Sequence, residues 1–220
     1  GVKNYEIYDK VTPDPAIETV EAVKKSFEGK NISAFIGLGG GSSMDVCKYL
    51  GKLTGIPKIL IPTTFGTGAE MTTYAVISFE HKKKLLQDEA FLADAAIVDP
   101  YFLPGTPFNI MRNSACDAAA QASEGYDSKL GNPLTRLFCK EAFDILEDAI
   151  VNDKPDLLPY GAMLSGIGFG NSSTTLGHAL SYVFSNEGVP HGYSLSSCTT
   201  VAHKFNKSAY YERFKKICQK

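Results

Sequence analysis

A short apolar run that ends in three glycines is the feature that most constrains the fold of this chain. Residues 34–38 read Ala-Phe-Ile-Gly-Leu, residues 39–41 are all glycine, and a helical pattern follows over residues 42–53. A continuous apolar run of this length is typical of a parallel strand covered on both faces. Glycines allow a tight turn from such a strand into a helix. We therefore predict a strand–turn–helix unit of an α/β fold.

The alternation of apolar runs and helical patterns continues through the first half of the chain. Residues 16–27 carry apolar side chains at helical spacing. Three further apolar runs, at residues 58–61, 74–79 and 95–98, predict buried strands. Strands that alternate with helices predict an α/β domain with a parallel sheet.

The second half of the chain reads as helices separated by proline and glycine. We place the boundary near residues 103–105, which gives an α/β domain over 1–103 and an all-helical domain over 104–220. The usual ligand site in such an arrangement is the cleft between the two domains. The predicted helices are 115–126, 133–151, 160–168, 175–184 and 193–205.

Composition excludes several classes of protein. The chain has 22 Lys+Arg and 24 Asp+Glu, a net charge of −2, which argues against a nucleic-acid binder, and we interpret the lysines at 82–84 as a solvated turn. Hydrophobic residues make up 44% and charged residues 21%, as in an ordinary globular chain. No run approaches the ~18 apolar residues of a membrane helix, and the N-terminus has no apolar signal core. Five scattered cysteines predict reduced thiols in a cytoplasmic protein.

The glycine turn is a candidate phosphate site. Gly39, Gly40 and Gly41 precede Ser42 at the start of a predicted helix. Backbone N–H groups at a helix N-terminus favour a phosphate, and serine hydroxyls add donors. The sequence is neither G-x-G-x-x-G nor a Walker loop. A tight turn with a capping serine is the alternative.

A second polar loop follows the next predicted strand. Residues 62–70 contain Thr63, Thr64 and Thr67 together with two glycines. In an α/β sheet the carboxyl ends of the strands face the ligand crevice. Two such loops on successive strands favour a dinucleotide site, and a solvated surface loop is the alternative.

Polar residues of the helical half form a candidate metal site. Asp117, Gln121 and Glu124 lie at i, i+4 and i+7, so they share one helix face, and His178 and His191 follow. A carboxylate, an amide oxygen and two imidazoles could coordinate one divalent cation. Hydrogen-bonded histidines and a pairing Asp117 are the alternative.

Several ordered motifs together resemble the iron-containing (group III) alcohol dehydrogenases. The resemblance covers nearly all of the chain and implies a nucleotide-binding domain followed by a helical metal-binding domain, an architecture shared with dehydroquinate synthases. The motifs are residues 39–45 with Lys48, 62–70, 95–100, 116–118 with Glu124 and Ser128, 178–179 and 190–192. Members carry further segments around these motifs, so both domains are expected to be incomplete here.

The resemblance also implies roles for individual residues. Cofactor binding is implied for Gly40, Gly41, Ser42, Asp45, Thr63, Thr64 and Thr67, with Asp45 supporting the glycine turn from the first helical turn. Asp117, His178 and His191 match the catalytic metal ligands of the family, iron being the first expectation and zinc the second. Gln121 stands where members usually have another histidine ligand, and Tyr182 where a further histidine is common.

The activity that the resemblance implies is NAD- or NADP-linked interconversion of a small alcohol and an aldehyde or ketone. Association into a homo-oligomer is also implied. A sugar-phosphate cyclase or lyase of related architecture is one alternative, although the helical half is poor in arginine. A catalytically inactive nucleotide-binding homologue is the other.

Overall fold

The structure is a computed structural model that describes residues 3–80 and 82–220. Residues 1 and 2, at the start of the segment in which we find no apolar signal core, and His81 lie outside the described residues. The strands are β1 Phe35–Gly39, β2 Lys58–Pro62, β3 Tyr74–Phe79, β4 Lys82–Gln87 and β5 Ala95–Ala96. The helices are α1 Ile17–Ser26, α2 Gly41–Thr54, α3 Phe108–Asp127, α4 Pro133–Val151, α5 Leu158–Gly170, α6 Leu176–Ser185, α7 His191–Asn206 and α8 Tyr211–Ile217.

A parallel sheet in the order β1-β2-β5 forms the first half, which confirms the α/β prediction. β1 pairs with β2 in register from Phe35 opposite Lys58 to Gly39 opposite Pro62. β5 contributes only two of the four predicted residues, and the N–H of Ile97 beyond it still donates to the Leu60 carbonyl at 2.9 Å. Since β1 and β2 are parallel neighbours, the glycine turn and the threonine loop leave the same edge of the sheet side by side.

The third predicted strand lies in a different sheet. β3 pairs with β4 in an antiparallel hairpin, with Tyr74 opposite Gln87 and Phe79 opposite Lys82. The interpretation of residues 82–84 as a turn is therefore wrong, because the three lysines belong to β4, whereas the expected solvation holds for Lys82 and Lys84, which are exposed. The Lys84 ammonium lies 5.1 Å from the centre of the Phe79 ring, a cation–π contact within the hairpin.

Helix α2 is held between the parallel sheet and the hairpin. Val20 and Val23 of α1, Val46 and Leu50 of α2, and Ile77 of β3 form one buried cluster. Burial of each such side chain contributes about 1.5–3 kcal/mol. These contacts fix the position of the α2 N-terminus, where the glycine turn lies.

The second half is helical, as predicted, and α3 runs through its centre. Residues 118–120 and Ala122 of α3 are fully buried alanines, whose small side chains let α4, α5 and α7 approach closely. α3 begins at Phe108, seven residues before the predicted start, and α8 was not predicted. The predicted domain division at residues 103 and 104 stays a prediction.

No helix in residues 3–80 and 82–220 is both long and apolar enough to cross a lipid bilayer.

Candidate active site

The glycine turn takes a backbone conformation that only glycine adopts easily. Gly39 has a φ of +151°, and a Cβ at this position would lie 2.7 Å from the Ser43 hydroxyl oxygen. Helix α2 begins directly afterwards at Gly41, so its first N–H groups face the turn. The Ser42 hydroxyl accepts a hydrogen bond of 3.2 Å from the N–H of Asp14.

The threonine loop packs against the glycine turn. The N–H of Thr63 donates to the Gly39 carbonyl at 2.9 Å. A Cβ on Gly40 would lie 3.1 Å from the Thr64 hydroxyl oxygen, and one on Gly41 would lie 3.0 Å from the Thr67 methyl group. All of these residues are half-buried. The structure thus brings six of the seven predicted cofactor residues onto one partly open surface, namely Gly40, Gly41, Ser42, Thr63, Thr64 and Thr67.

Asp45, the seventh predicted cofactor residue, is buried and bonded to the hairpin. It is the fifth residue of α2, just beyond the first helical turn in which it was expected, and its carboxylate accepts from the N–H of Val76 at 3.0 Å. Its neighbour Lys48 is fully buried and donates to the Tyr74 carbonyl at 2.7 Å and to the Thr72 hydroxyl at 3.2 Å. The side chains of Asp45 and Lys48 therefore connect α2 to β3 and to Thr72, which lies just before β3.

Burial shifts the protonation of both groups toward neutrality. Burial raises the pKa of Asp45 to about 6, although the Lys48 ammonium and the Val76 N–H act to lower it. Burial also lowers the pKa of Lys48 to about 8, against the attraction of Asp45 and Glu70. Each charge favours the charged form of the other, although the two groups form no salt bridge in the described part of the chain.

Three predicted metal ligands from three helices meet at one point. Asp117 of α3, His178 of α6 and His191 of α7 each offer one atom, and these atoms lie within 4.8 Å of one another. The Nε2 atoms of His178 and His191 lie 3.5 and 3.8 Å from Asp117 Oδ1. Asp117 and His178 are buried, whereas 36% of the His191 side chain is exposed, so the cluster opens to solvent at His191.

Gln121, the fourth predicted ligand, joins this cluster to the threonine loop. Its Nε2 donates to Asp117 Oδ1 at 3.1 Å and to the Thr67 carbonyl at 3.4 Å. Its Oε1 is buried and has no hydrogen-bond partner within the described part of the chain.

Two polar side chains hold the outer nitrogens of the histidine rings. Glu124 Oε2 lies 3.0 Å from His178 Nδ1, and the Ser181 hydroxyl oxygen lies 3.5 Å from His191 Nδ1. From the sequence we predicted that Glu124 lies on the ligand face of α3, but we assigned it no role of its own. Ser181 was not predicted to belong to the site, and the single feature of the sequence that could have indicated it is its position three residues after His178.

Burial and the nearby carboxylates have opposite effects on the pKa values of the two rings. Burial acts to lower the pKa of His178, but the interactions with Asp117 and Glu124 outweigh it and raise that pKa to about 9. The hydrogen bond from His178 holds the pKa of Glu124 below its usual value, although burial acts to raise it. Burial lowers the pKa of His191, which favours its neutral ring. Tyr182, whose ring centre lies 6.0 Å from that of His191, forms one wall of the opening.

This donor set fits a divalent transition metal. One carboxylate oxygen and two imidazole nitrogens on three helices are the ligands that iron and zinc accept. The buried Nε2 of His178 finds no hydrogen-bond partner among residues 3–80 and 82–220, although it lies at the point where the three ligand atoms meet. We conclude that the residues present suit a metal centre.

A cavity of about 370 Å³ lies elsewhere, between the start of α3, the end of α4 and α8. Met111, Ile150, Leu158 and Ile217 give it an apolar wall. Within the described residues it is lined by none of the predicted site residues, so cavity size does not mark the site in this fold.

Relatives of the chain are enzymes that act on alcohols or aldehydes. It is 33% identical over 219 residues to long-chain-alcohol dehydrogenase 1 of Geobacillus thermodenitrificans, covering 86% of this chain and 55% of the relative. It is 30% identical over 208 residues to 4-hydroxybutyrate dehydrogenase of Clostridium kluyveri, covering 81% and 56%. The chain thus spans little more than half of the length of these two relatives.

Solved structures share the fold. The crystal structure of sulfoacetaldehyde reductase from Bifidobacterium kashiwanohense in complex with NAD+ superposes with a TM-score of 0.84 at 26% identity, covering 90% of this chain and 60% of that one. Residues 2–100 match the sequence model of the family described as iron-containing alcohol dehydrogenase. Residues 112–220 match the model described as Fe-containing alcohol dehydrogenase family, C-terminal. The chain therefore belongs to the iron-containing alcohol dehydrogenase family.

Proposed function

We propose that the protein is a metal-dependent, NAD- or NADP-linked alcohol dehydrogenase that also reduces aldehydes. One observation carries the proposal: Asp117, His178 and His191 converge next to Gln121, which is bonded to the same loop that packs on the glycine turn. A metal centre beside a dinucleotide surface is an arrangement suited to hydride exchange with an alcohol.

The proposed metal ligands are Asp117, Gln121, His178 and His191. The Asp117 carboxylate offsets the charge of the ion, and the two imidazoles fix its place. Lewis acidity toward an alcohol or carbonyl oxygen is the chemistry that a bound ion supplies there. The exposed edge of His191, beside Tyr182, leaves the opening through which that oxygen would reach the cluster.

The proposed cofactor residues are those of the glycine turn and the threonine loop. Backbone N–H groups at the start of α2 and the hydroxyl of Ser42 are suited to the pyrophosphate. Thr63, Thr64 and Thr67 line the path from the adenosine to the nicotinamide side. Asp45 is proposed to act indirectly: its carboxylate accepts a hydrogen bond from the N–H of Val76 and so holds α2, which carries the glycine turn, against β3.

The substrate is proposed only as a class, a small alcohol or its aldehyde. The relatives are named for a long-chain alcohol, for 4-hydroxybutyrate and for sulfoacetaldehyde. The substrates named for the family therefore share an alcohol or aldehyde group and differ in the rest of the molecule. We further propose a cytoplasmic homo-oligomer, without a nucleic-acid partner, built from an α/β domain over 1–103 and a helical domain over 104–220. Neither alternative, a cyclase or an inactive homologue, gains support from the relatives.

The test combines metal analysis with turnover. We expect purified protein to contain iron or zinc, to reduce small aldehydes with NADH or NADPH, to lose that activity on chelation, and to regain it with either metal. His191→Ala should lose both metal and activity. His203→Gln is the matched control, because His203 lies on the same helix and bonds to Ser123 instead of the cluster.

Two results would contradict the proposal. Full activity in metal-free protein would remove the Lewis-acid role. Cofactor binding without turnover, in metal-loaded protein and across a panel of aldehydes, would favour the inactive homologue instead.

A further inference from the structure

Glu124 is a buried carboxylate that lies behind the proposed metal centre without belonging to it. It shares the α3 face of Asp117 and Gln121, but the cluster of ligand atoms contains Asp117, His178 and His191. The side chain is fully buried. A charge in such a place costs several kcal/mol unless hydrogen bonds compensate for it, so its partners indicate its role.

The partners of Glu124 come from the two helices that carry the histidines. Oε2 accepts from the N–H of Thr175 at 2.7 Å and from the N–H of His178 at 3.4 Å, and lies 3.0 Å from His178 Nδ1. Oε1 accepts from the Thr199 hydroxyl of α7 at 3.4 Å. One side chain of α3 thus contacts both α6 and α7, so it links the helices that bear the three ligands Asp117, His178 and His191.

The bond to Nδ1 decides which nitrogen of His178 is available to an ion. An ionised carboxylate only accepts hydrogen bonds, so Nδ1 carries the hydrogen. The lone pair of the neutral ring is then on Nε2, the atom that lies 3.5 Å from Asp117 Oδ1. The opposite tautomer would place a hydrogen on Nε2 and remove His178 from the cluster.

The hydrogen bonds from the backbone N–H groups of Thr175 and His178 to Glu124 fix the position of the His178 ring. Thr175 precedes the first residue of α6, and His178 lies in its first turn, so Glu124 caps this helix from another helix. The chain leaves room for the carboxylate at Gly177, where a Cβ would lie 1.9 Å from Glu124 Oε1 and 2.6 Å from the Thr199 hydroxyl oxygen. Ring orientation and helix position therefore depend on the same carboxylate.

We propose that Glu124 is a positioning residue that prepares His178 for the metal by fixing both its tautomer and its place. This inference rests on the proposed function, since it needs an ion at the cluster. It differs from a purely structural role, in which Glu124 would hold α6 in place and the affinity for metal would follow stability alone.

The test uses Zn²⁺ alone, without cofactor or alcohol, in competition with a chromophoric chelator. In Glu124→Gln the amide oxygen can still accept from the Thr175 and His178 N–H groups and from Nδ1, but the negative charge beside the His178 ring is lost. We expect Zn²⁺ affinity to fall by about 10- to 100-fold, the usual effect of removing such a partner of a ligating histidine.

Ser172→Ala is the matched control for lost stability. It removes a buried hydroxyl that bonds to the Gly125 carbonyl, next to Glu124 in the chain, without touching the ligands. We expect this variant to keep wild-type Zn²⁺ affinity even if its unfolding temperature falls as far as that of Glu124→Gln. Equal affinity of Glu124→Gln and wild type, or an equal loss in the Ser172→Ala control, overturns the proposal.

A measurement on wild-type protein covers the case in which Glu124→Gln fails to fold. Heteronuclear NMR of histidine-labelled, Zn²⁺-loaded protein should find the metal on Nε2 of His178 and a slowly exchanging hydrogen on Nδ1. Metal on Nδ1, or a hydrogen there that exchanges as fast as that of the more exposed His191, overturns the proposal. Absence of Zn²⁺ binding by wild type would instead contradict the metal centre of the proposed function itself.

Discussion

Replacement of Lys48 by methionine tests the buried network that supports the glycine turn. Methionine has a similar length but no charge, and it removes the hydrogen bonds to Tyr74 and Thr72. The variant also removes the positive charge that acts to lower the pKa of the buried Asp45 carboxyl. A buried acceptor that loses its donor costs about 1–3 kcal/mol, which sets the expected loss at neutral pH.

The pH dependence gives the sharper result. In the unfolded chain Lys48 has its ordinary pKa of 10.5, and in the folded protein burial lowers that pKa to about 8. A base with a lowered folded pKa contributes stability that is present above the unfolded pKa and is lost as the pH falls toward the folded one. Between about pH 8 and pH 10, Lys48 should therefore make the wild type more stable by about 2 kcal/mol as the pH rises.

Denaturant unfolding at the two pH values measures this difference. Lys48→Met should lack the rise of about 2 kcal/mol, whereas other groups that titrate in this range contribute equally to both proteins. Lys52→Met is the matched control, because Lys52 lies on the same helix with 40% of its side chain exposed. It should follow the wild-type pH dependence. The reasoning is refuted if Lys48→Met and wild type change by the same amount between the two pH values.

Three further substitutions test the site. Gly40→Ala should weaken NAD binding by about tenfold with little effect on stability, because the new Cβ would lie 3.1 Å from the Thr64 hydroxyl oxygen; unchanged affinity in a fluorescence titration would contradict the packing of the two loops. Gly192→Ala should lower the free energy of unfolding by about 1–3 kcal/mol, because its Cβ would lie 2.0 Å from the Asn113 carbonyl oxygen. An unchanged unfolding temperature would contradict this contact. Gln121→His should raise Zn²⁺ affinity, because imidazole is a stronger donor than an amide oxygen; equal affinity would place Gln121 outside the ligand set.

Local signals of the sequence were sufficient for most elements. α4 runs over Pro133–Val151 as predicted, because Asn132 and Thr135 form a reciprocal cap at its start and proline occupies its first position. The strand–glycine–helix unit was also predictable, since a buried strand, a glycine turn and an amphipathic helix each leave a separate pattern.

Long-range contacts explain what the sequence did not predict. The β4 lysines read as solvated by composition, and their strand exists because β3 supplies a partner for every residue from Lys82 to Gln87. Helix α8 is seven residues long and depends on packing of Phe214 and Ile217 into the helical core. The shared helix face predicted that Asp117 and Gln121 lie together, but the approach of Ser181 to His191 depends on how α6 and α7 meet.

The threonine loop has one further consequence, because it touches both halves of the proposed site. The methyl group of Thr67 would contact a Cβ on Gly41 at 3.0 Å, and its carbonyl accepts from Gln121 at 3.4 Å. A dinucleotide that orders this loop would therefore also restrain Gln121 beside the ion. Thermodynamic linkage makes such an effect reciprocal, so cofactor and metal should each bind more tightly when the other is already in place.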